Sequence, residues 1–282
     1  SYYETAKSGL VPASGLTVPF TPLVWLGSLK QGLMWFAEST SGWPAVGEEP
    51  IRVMPGKDCT TLAVLLADQR CEIKGGCRLE FGLHPTPVKP MPKGWRGWIL
   101  GGRYDDATPL PDEMVRWRML LTRTGANRQY TWRDESKQLI QVGHTTPLKL
   151  NAAALKKQVD ADHARGIKSV MYEYLGGPSV GRTTDFERYV REWEKIPRKK
   201  LDYGVSGFIH GGCLGSTWSD FLLFGMKTLV ERTGMDGVYW DGGSGPSLCG
   251  NALHGHAPVE RSFPIFAARD FQKRLARMYD GM

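Results

Sequence analysis

The sequence has no run of roughly 18 or more apolar residues, which excludes an obvious transmembrane helix. It has no CxxC pair, so the common paired-cysteine zinc and redox motifs are missing. The five cysteines, Cys59, Cys71, Cys77, Cys213 and Cys249, are odd in number, which leaves at least one thiol free. Cys71 and Cys77 can pair only if their strands meet, and cysteine usage decides no compartment. Phosphate-cradling GxGxxG and GxxxxGK spacings are absent, so GGSGPS at 242–247 is a weak phosphate signal. No basic-then-apolar leader follows Ser1. The expectation is a removed export signal or an excerpt of a longer chain, and FQKRLARMYDGM, which stops as a helix finishes, favours the excerpt. A concentrated basic patch is missing too. The formal charge is +7, but it is spread along the chain, and the one dense run, Lys195 to Lys200, is broken by Pro197. That run reads as a solvated helix end, and no nucleic-acid partner is expected.

What remains is an ordinary globular composition over 282 residues, 41% hydrophobic and 23% charged, enough for two domains or one large barrel. The texture changes along the chain. LTVPFTPLVWLG, GLMWFAES, PIRVMPG, TTLAVLLAD and CRLEFGLHPTPV are short runs rich in β-branched and aromatic residues, punctuated by Gly and Pro. That is the rhythm of an antiparallel sandwich. A Pro-, Lys- and Trp-rich stretch, PVKPMPKGWRGW, reads as a linker and sets a boundary near residue 95. Beyond it, helical and apolar strand patterns alternate. NAAALKKQVDADHARG closes at Gly166, and IKSVMYEY follows. DFERYVREWEKI, with Asp185 as N-cap, precedes YGVSGFIHGG. TWSDFLLFGMKTLVERTG closes at Gly234, MDGVYWDGG follows, and a last helix carries Pro264 near its first turn. This order implies βα units with a parallel sheet. About four strands, counted from NRQYTW, make half of an eight-stranded barrel.

Function in such folds gathers where strands feed into βα loops. GVYWDGG ends in Trp240 and Asp241, IKSVMYEY carries Tyr172 and Glu173, and GFIHGG carries His210. A carboxylate at the end of an apolar strand is costly to desolvate unless paired or used. Two carboxylates across one pocket suit glycosidic cleavage, one protonating the leaving oxygen and the other attacking or stabilising the anomeric carbon. Trp132, Trp240 and Tyr172 offer flat faces for sugar rings. The blander roles are a cap or loop anchor for Asp241, an ion-pair partner for Glu173 and a hydrogen-bonded pocket residue for His210. Asp236, in the turn before the same strand, reads as structural. In the loop SLCGNALHGHAP, Cys249, His254 and His256 show a C-x4-H-x-H spacing that matches no standard structural zinc arrangement and offers no fourth ligand. It reads as a pocket-lining loop contributing Asn251 and His254, with no metal and no cofactor expected.

FTPLVWLGSLKQGLMWFAESTSGW, LEFGLHPTPVKPMP, DGVYWDG and LCGNALHGH together resemble bacterial proteins related to glycoside hydrolase family 123, more closely their poorly characterised relatives. The resemblance runs from about Leu16 to Tyr279. It implies a β-sandwich module followed by a (β/α)8 TIM-type barrel. Family 123 enzymes resemble other hexosaminidases in using the substrate's 2-acetamido group, oriented by adjacent Asp and Glu at a strand end. Here that strand end is Trp240-Asp241-Gly242. The expectation is therefore a sandwich module over 1–95, incomplete at its N-terminus, and the first half of a catalytic barrel over 96–282. Asp241 and Glu173 would be catalytic, with Tyr172, His210, Trp240, Trp132, Asn251 and His254 holding a carbohydrate substrate. Secretion or a periplasmic location follows from that substrate class. The rival classes are a non-catalytic carbohydrate-binding protein and a metal-assisted barrel hydrolase or lyase.

Overall fold

The computed structural model describes residues 9–28, 30–87, 99–101, 116–120, 152–174, 184–197, 199–200, 208–209, 212–241, 248–256 and 262–281. The expected linker, the boundary at residue 95 and the strand NRQYTW lie outside these residues.

The first part forms two three-stranded antiparallel sheets. One has β1 (Leu16–Val18), β4 (Ile51–Pro55) and β5 (Thr60–Val64) in the order β1-β4-β5. The other has β2 (Leu23–Gly27), β3 (Gly32–Phe36) and β6 (Gly82–Thr86) in the order β2-β3-β6. Alternating apolar residues send one face of each sheet inward. Val18 from β1, Ile51 from β4 and Trp35 from β3 meet with Ala37 in one core, lined by Phe20, Trp43 and Leu62. Phe20 meets the Trp43 ring edge-on at 5.8 Å, and Trp35 meets it at 6.5 Å. Cys71 and Cys77 do not pair: both are free, and the Cys77 thiol donates to the Gly42 carbonyl at 2.9 Å.

The second part holds a four-stranded sheet that is parallel throughout. Its strands are β7 (Ile99–Gly101), β8 (Arg116–Leu120), β9 (Ile167–Tyr174) and β12 (Gly237–Asp241), in the order β7-β8-β9-β12. The order follows the chain without reversal, as winding in one direction requires. Helix α1 (Ala152–His163) leads into β9, and Gly166 follows it at φ 68°. Helix α2 (Thr184–Trp193) begins one residue ahead of Asp185, so Asp185 sits inside the helix and is not its N-cap. Helix α3 (Trp218–Thr233) stops at Gly234, whose φ of 73° is the left-handed cap conformation that a Cβ would strain, and whose N–H bonds the Val230 carbonyl at 2.8 Å. Helix α4 (Ile265–Asp280) follows β12. Among the described residues, the run YGVSGFIHGG adds no strand to the parallel sheet. Its Phe208–Ile209 segment, β11, pairs antiparallel with β10 (Lys199–Lys200). Glycines on both sides of so short an apolar segment leave little to pack in a sheet centre.

Apolar stripes on the helices close two cores. Leu155 and Val159 of α1 pack with Leu229 of α3 and Met235. Trp193 of α2, Trp218, Leu222 and Met226 of α3, and Phe271 and Leu275 of α4 form the other, with Val238 of β12 against it. Each fully buried side chain of this size contributes about 1.5–3 kcal/mol.

A fourth core joins the two parts: Phe36 of β3 packs with Phe263 and Ile265 at the start of α4. Glu38, just after β3, accepts from the Phe266 N–H at 2.9 Å through Oε1 and from the Phe263 N–H at 2.8 Å through its carbonyl. It caps a helix that lies more than two hundred residues away in sequence. Burial raises the Glu38 pKa above the usual range, and the Phe266 and Ile265 N–H groups pull the other way. A raised folded pKa means the contribution is complete below the unfolded value and declines as pH rises through the folded one. Glu38→Ala is expected to lower the unfolding free energy by about 1 kcal/mol, the value of a lost cap. Glu38→Gln, which keeps the acceptor without the charge, is expected to match or exceed wild type at pH 7. Urea unfolding of the three proteins decides this, and equal losses for Ala and Gln would refute the cap.

Candidate functional site

The carboxyl ends of β9 and β12 lie side by side. The ladder pairs Gly237 with Val170, Tyr239 with Tyr172, Trp240 with Glu173 and Asp241 with Tyr174. Four of the sequence-derived site residues, Tyr172, Glu173, Trp240 and Asp241, thus occupy the last positions of two neighbouring parallel strands. Asp241 and Glu173 stand one step out of register, at positions of opposite parity in the pleat. Trp132 and His210 lie outside the described residues.

Asp236 fixes this register. Its Oδ2 accepts from the Ser169 N–H at 2.8 Å and contacts His163 Nε2 at 2.8 Å, and its Oδ1 accepts from Lys168 Nζ at 3.3 Å. Its own N–H donates to the Ser169 carbonyl at 2.9 Å. Ser169 Oγ in turn donates to the buried Asp162 carboxylate at 3.0 Å. One carboxylate therefore ties the end of α1 and the start of β9 to the entry of β12. A short polar residue before Gly237 suits the turn, and the sequence reading of Asp236 as structural agrees with its partners.

Asn251 and His254 sit beyond β12, in a segment strapped to the end of α2. A helix end leaves its last carbonyls without intrahelical partners. Here Asn251 Nδ2 donates to the Arg191 and Glu194 carbonyls at 3.0 and 2.9 Å, and the Cys213 N–H donates to the Trp193 carbonyl at 2.8 Å. His254 Nε2 contacts the Glu192 carbonyl at 2.5 Å. Asn251 Oδ1 accepts from the Leu253 N–H at 3.0 Å, so the whole amide is engaged within the protein.

This strapping brings together a constellation that sequence spacing hides. Cys249, His254 and His256 supply three donors from one loop, and Cys213, from the segment before α3, supplies a fourth. One ligand atom from each lies within 4.8 Å of all the others. Cys249 Sγ is 3.2 Å from His254 Nδ1, and Cys213 Sγ is 3.5 Å from His256 Nε2. Both cysteines have no exposed surface, and His254 is 5% exposed. The His254 tautomer follows from its surroundings: a carbonyl only accepts, so Nε2 carries the proton, and in the neutral ring Nδ1 presents a bare lone pair to Cys249. His256 Nδ1 reaches Ser262 Oγ at 3.4 Å. The hydrogen bond from Cys213 holds the Cys249 pKa well below the usual thiol value, with help from His254 and His256. The same bond, together with burial, pushes Cys213 up. Burial lowers the Lys195 pKa, partly offset by the charge of the two sulfurs. The missed member was Cys213; its position directly after HGG, at the end of a strand-like run, was the available signal.

Stability should report the Asp236 clip. Burial, the largest influence on Asp236, raises its pKa, but the bonds from His163 and Ser169 and the Lys168 charge more than reverse this, leaving it lowered. Its contribution is then complete above the unfolded carboxylate range and lost as pH falls through the folded value. Urea midpoints of wild type are expected to fall in acid, and those of Asp236→Asn to fall less over the same window. Parallel pH profiles would contradict the assignment.

Comparison with known proteins returns no matching family model and no matching curated protein. Solved structures that share part of its shape include α-L-fucosidase isoenzyme 2 from Paenibacillus thiaminolyticus, at 16% identity and a TM-score of 0.37, covering 60% of this chain and 26% of that one. Another is a cycloisomaltooligosaccharide glucanotransferase from Paenibacillus sp., at 12% identity and a TM-score of 0.40, covering 95% of this chain and 43% of that one. This chain thus spans less than half the length of either. Its structural neighbours include carbohydrate-processing enzymes at low identity, and likeness at this level assigns the chain neither a family nor an activity.

Proposed function

We propose that this chain carries part of a glycoside hydrolase-like active site, with Asp241 as nucleophile or transition-state stabiliser and Glu173 as general acid. The supporting observation is that β9 and β12 end side by side, with Tyr174 opposite Asp241 and Glu173 opposite Trp240; because Asp241 and Glu173 have opposite parity, the reading requires them to act from the strand-end rim and not from one face of the sheet. Strand ends of this kind face the loops that line pockets in βα folds. The resemblance of DGVYWDG and LCGNALHGH to family 123-like proteins supports the same reading. In it, the antiparallel sheets belong to a sandwich and the parallel sheet to the first part of a (β/α)8 barrel. Tyr172, Trp240, Trp132 and His210 position a sugar, while Asn251 and His254 hold the loop, since their polar atoms are engaged within the protein. The substrate is a polysaccharide or glycan met outside the cytoplasm.

A general acid protonates the leaving oxygen, and its loss matters least when the leaving group departs without help. In the complete protein, Glu173→Gln is expected to slow natural glycans by about 10²–10⁴-fold and activated aryl glycosides far less. Asp241→Asn is expected to abolish turnover on both. Full turnover in Asp241→Asn ends the assignment. Equal glycan affinity for wild type and variant, with no product from either, would instead make the protein a carbohydrate binder.

A further inference from the structure

We propose that Cys213, Cys249, His254 and His256 form a closed Cys2His2 site for one structural zinc ion. The first support is geometric. A tetrahedron with Zn–S of about 2.3 Å and Zn–N of about 2.0–2.1 Å has S···N edges near 3.5 Å and S···S edges near 3.8 Å. The contacts of 3.2 and 3.5 Å, and the 4.8 Å limit on all pairs, match a tetrahedron that needs only side-chain adjustment to close.

Chemistry gives the second. Two thiolates and two neutral imidazoles make an S2N2 set, which zinc and iron–sulfur centres take; four single donors around one point suit a single zinc ion, and a pair of thiolates neutralises the dication in a buried place. The outer partners give the third. A metal-bound histidine usually donates its other N–H to a carbonyl, carboxylate or similar acceptor. His254 directs Nδ1 inward and Nε2 to the Glu192 carbonyl; His256 directs Nε2 inward and Nδ1 to Ser262 Oγ. The Gly215 N–H points at Cys213 Sγ at 3.4 Å, as thiolate ligands commonly accept.

Four protein donors leave no open position, so the ion is structural and not a site for substrate water. It would pin the segment after β12 to the segment before α3, beside the helix end that Asn251 already caps. The spacing is unlike a zinc finger because the fourth ligand comes from another βα connection. The inference stands apart from the glycosidic reading: zinc binding survives if no glycan is ever cleaved, and cleavage could occur in a chain that binds none.

Metal analysis of the complete protein, produced with zinc and passed through metal-free buffer, is expected to give one zinc per chain. Cobalt substitution should show tetrahedral ligand-field bands with thiolate charge transfer. A variant with Cys59, Cys71 and Cys77 all changed to Ser is expected to keep the ion. Cys249→Ser should weaken binding by more than about 100-fold, beyond the 10–100-fold typical of losing an outer hydrogen bond. Because a buried substitution can unfold the protein, Ser262→Ala serves as the mild variant, with a loss of about 10-fold or more. Folded wild type that takes up no zinc overturns the proposal. So does a Cys213–Cys249 disulfide in peptide mapping without reductant, or a cobalt spectrum lacking thiolate character.

Discussion

The carboxylate of Asp236 is the point on which the parallel sheet turns. It sits one residue before β12 and holds two other pieces of chain: the last turn of α1 through His163, and the start of β9 through Lys168 and the Ser169 backbone. A parallel ladder has slanted, evenly spaced bonds, and a slip of one residue would exchange the faces of every side chain. With the clip in place, Gly237 meets Val170, and everything downstream follows by counting, including Asp241 beside Tyr174. The candidate chemistry at the far end of the strand is thus set by a charge at its near end.

From there the architecture spreads outward through helix ends. The last carbonyls of α2 are met by Asn251, His254 and the Cys213 N–H, and that single act of capping gathers two βα connections around one spot. The donors are brought near one another in part because the Cys213 backbone and the side chains of Asn251 and His254 are all committed to the α2 terminus. Capping energy and site geometry are here the same set of contacts.

What could be read in the sequence follows from what is local. Gly166 and Gly234 end their helices because left-handed φ needs no partner elsewhere, and IKSVMYEY and GVYWD form strands because apolar, β-branched runs bury in a parallel sheet. Asp236 reads as structural from its turn alone, although its partners do not. Three features required the fold. The three-residue β7 carries too little pattern to stand out. Phe208–Ile209 looks like a sheet strand until its antiparallel partner is seen. Cys213 lies far from the Cys249–His256 loop in sequence, and no spacing rule connects ligands from two different connections. Asn251 and His254 are legible as important, but their partners are not: polar residues in a loop after a strand end read as contacts for a substrate, whereas Asn251 and His254 Nε2 bond a helix terminus and His254 Nδ1 faces Cys249.

The docking of α4 against the first sheets has a consequence for how the chain can be divided. Glu38 supplies the acceptors that α4 lacks at its start, Phe36 covers Phe263 and Ile265, and Arg269 lies 4.7 Å over the Phe36 ring while reaching His84 at 3.0 Å. A cut at the compositional seam near residue 95 would leave α4 with uncapped amides and a bare aromatic patch, and would leave the sheets with an open Phe36. The two parts therefore share a packed contact across that textural border. The strands of the first part act as a terminal template for the last helix, so the two parts should gain and lose structure together, and shuffling either onto a foreign neighbour would require that neighbour to carry its own substitute for Glu38.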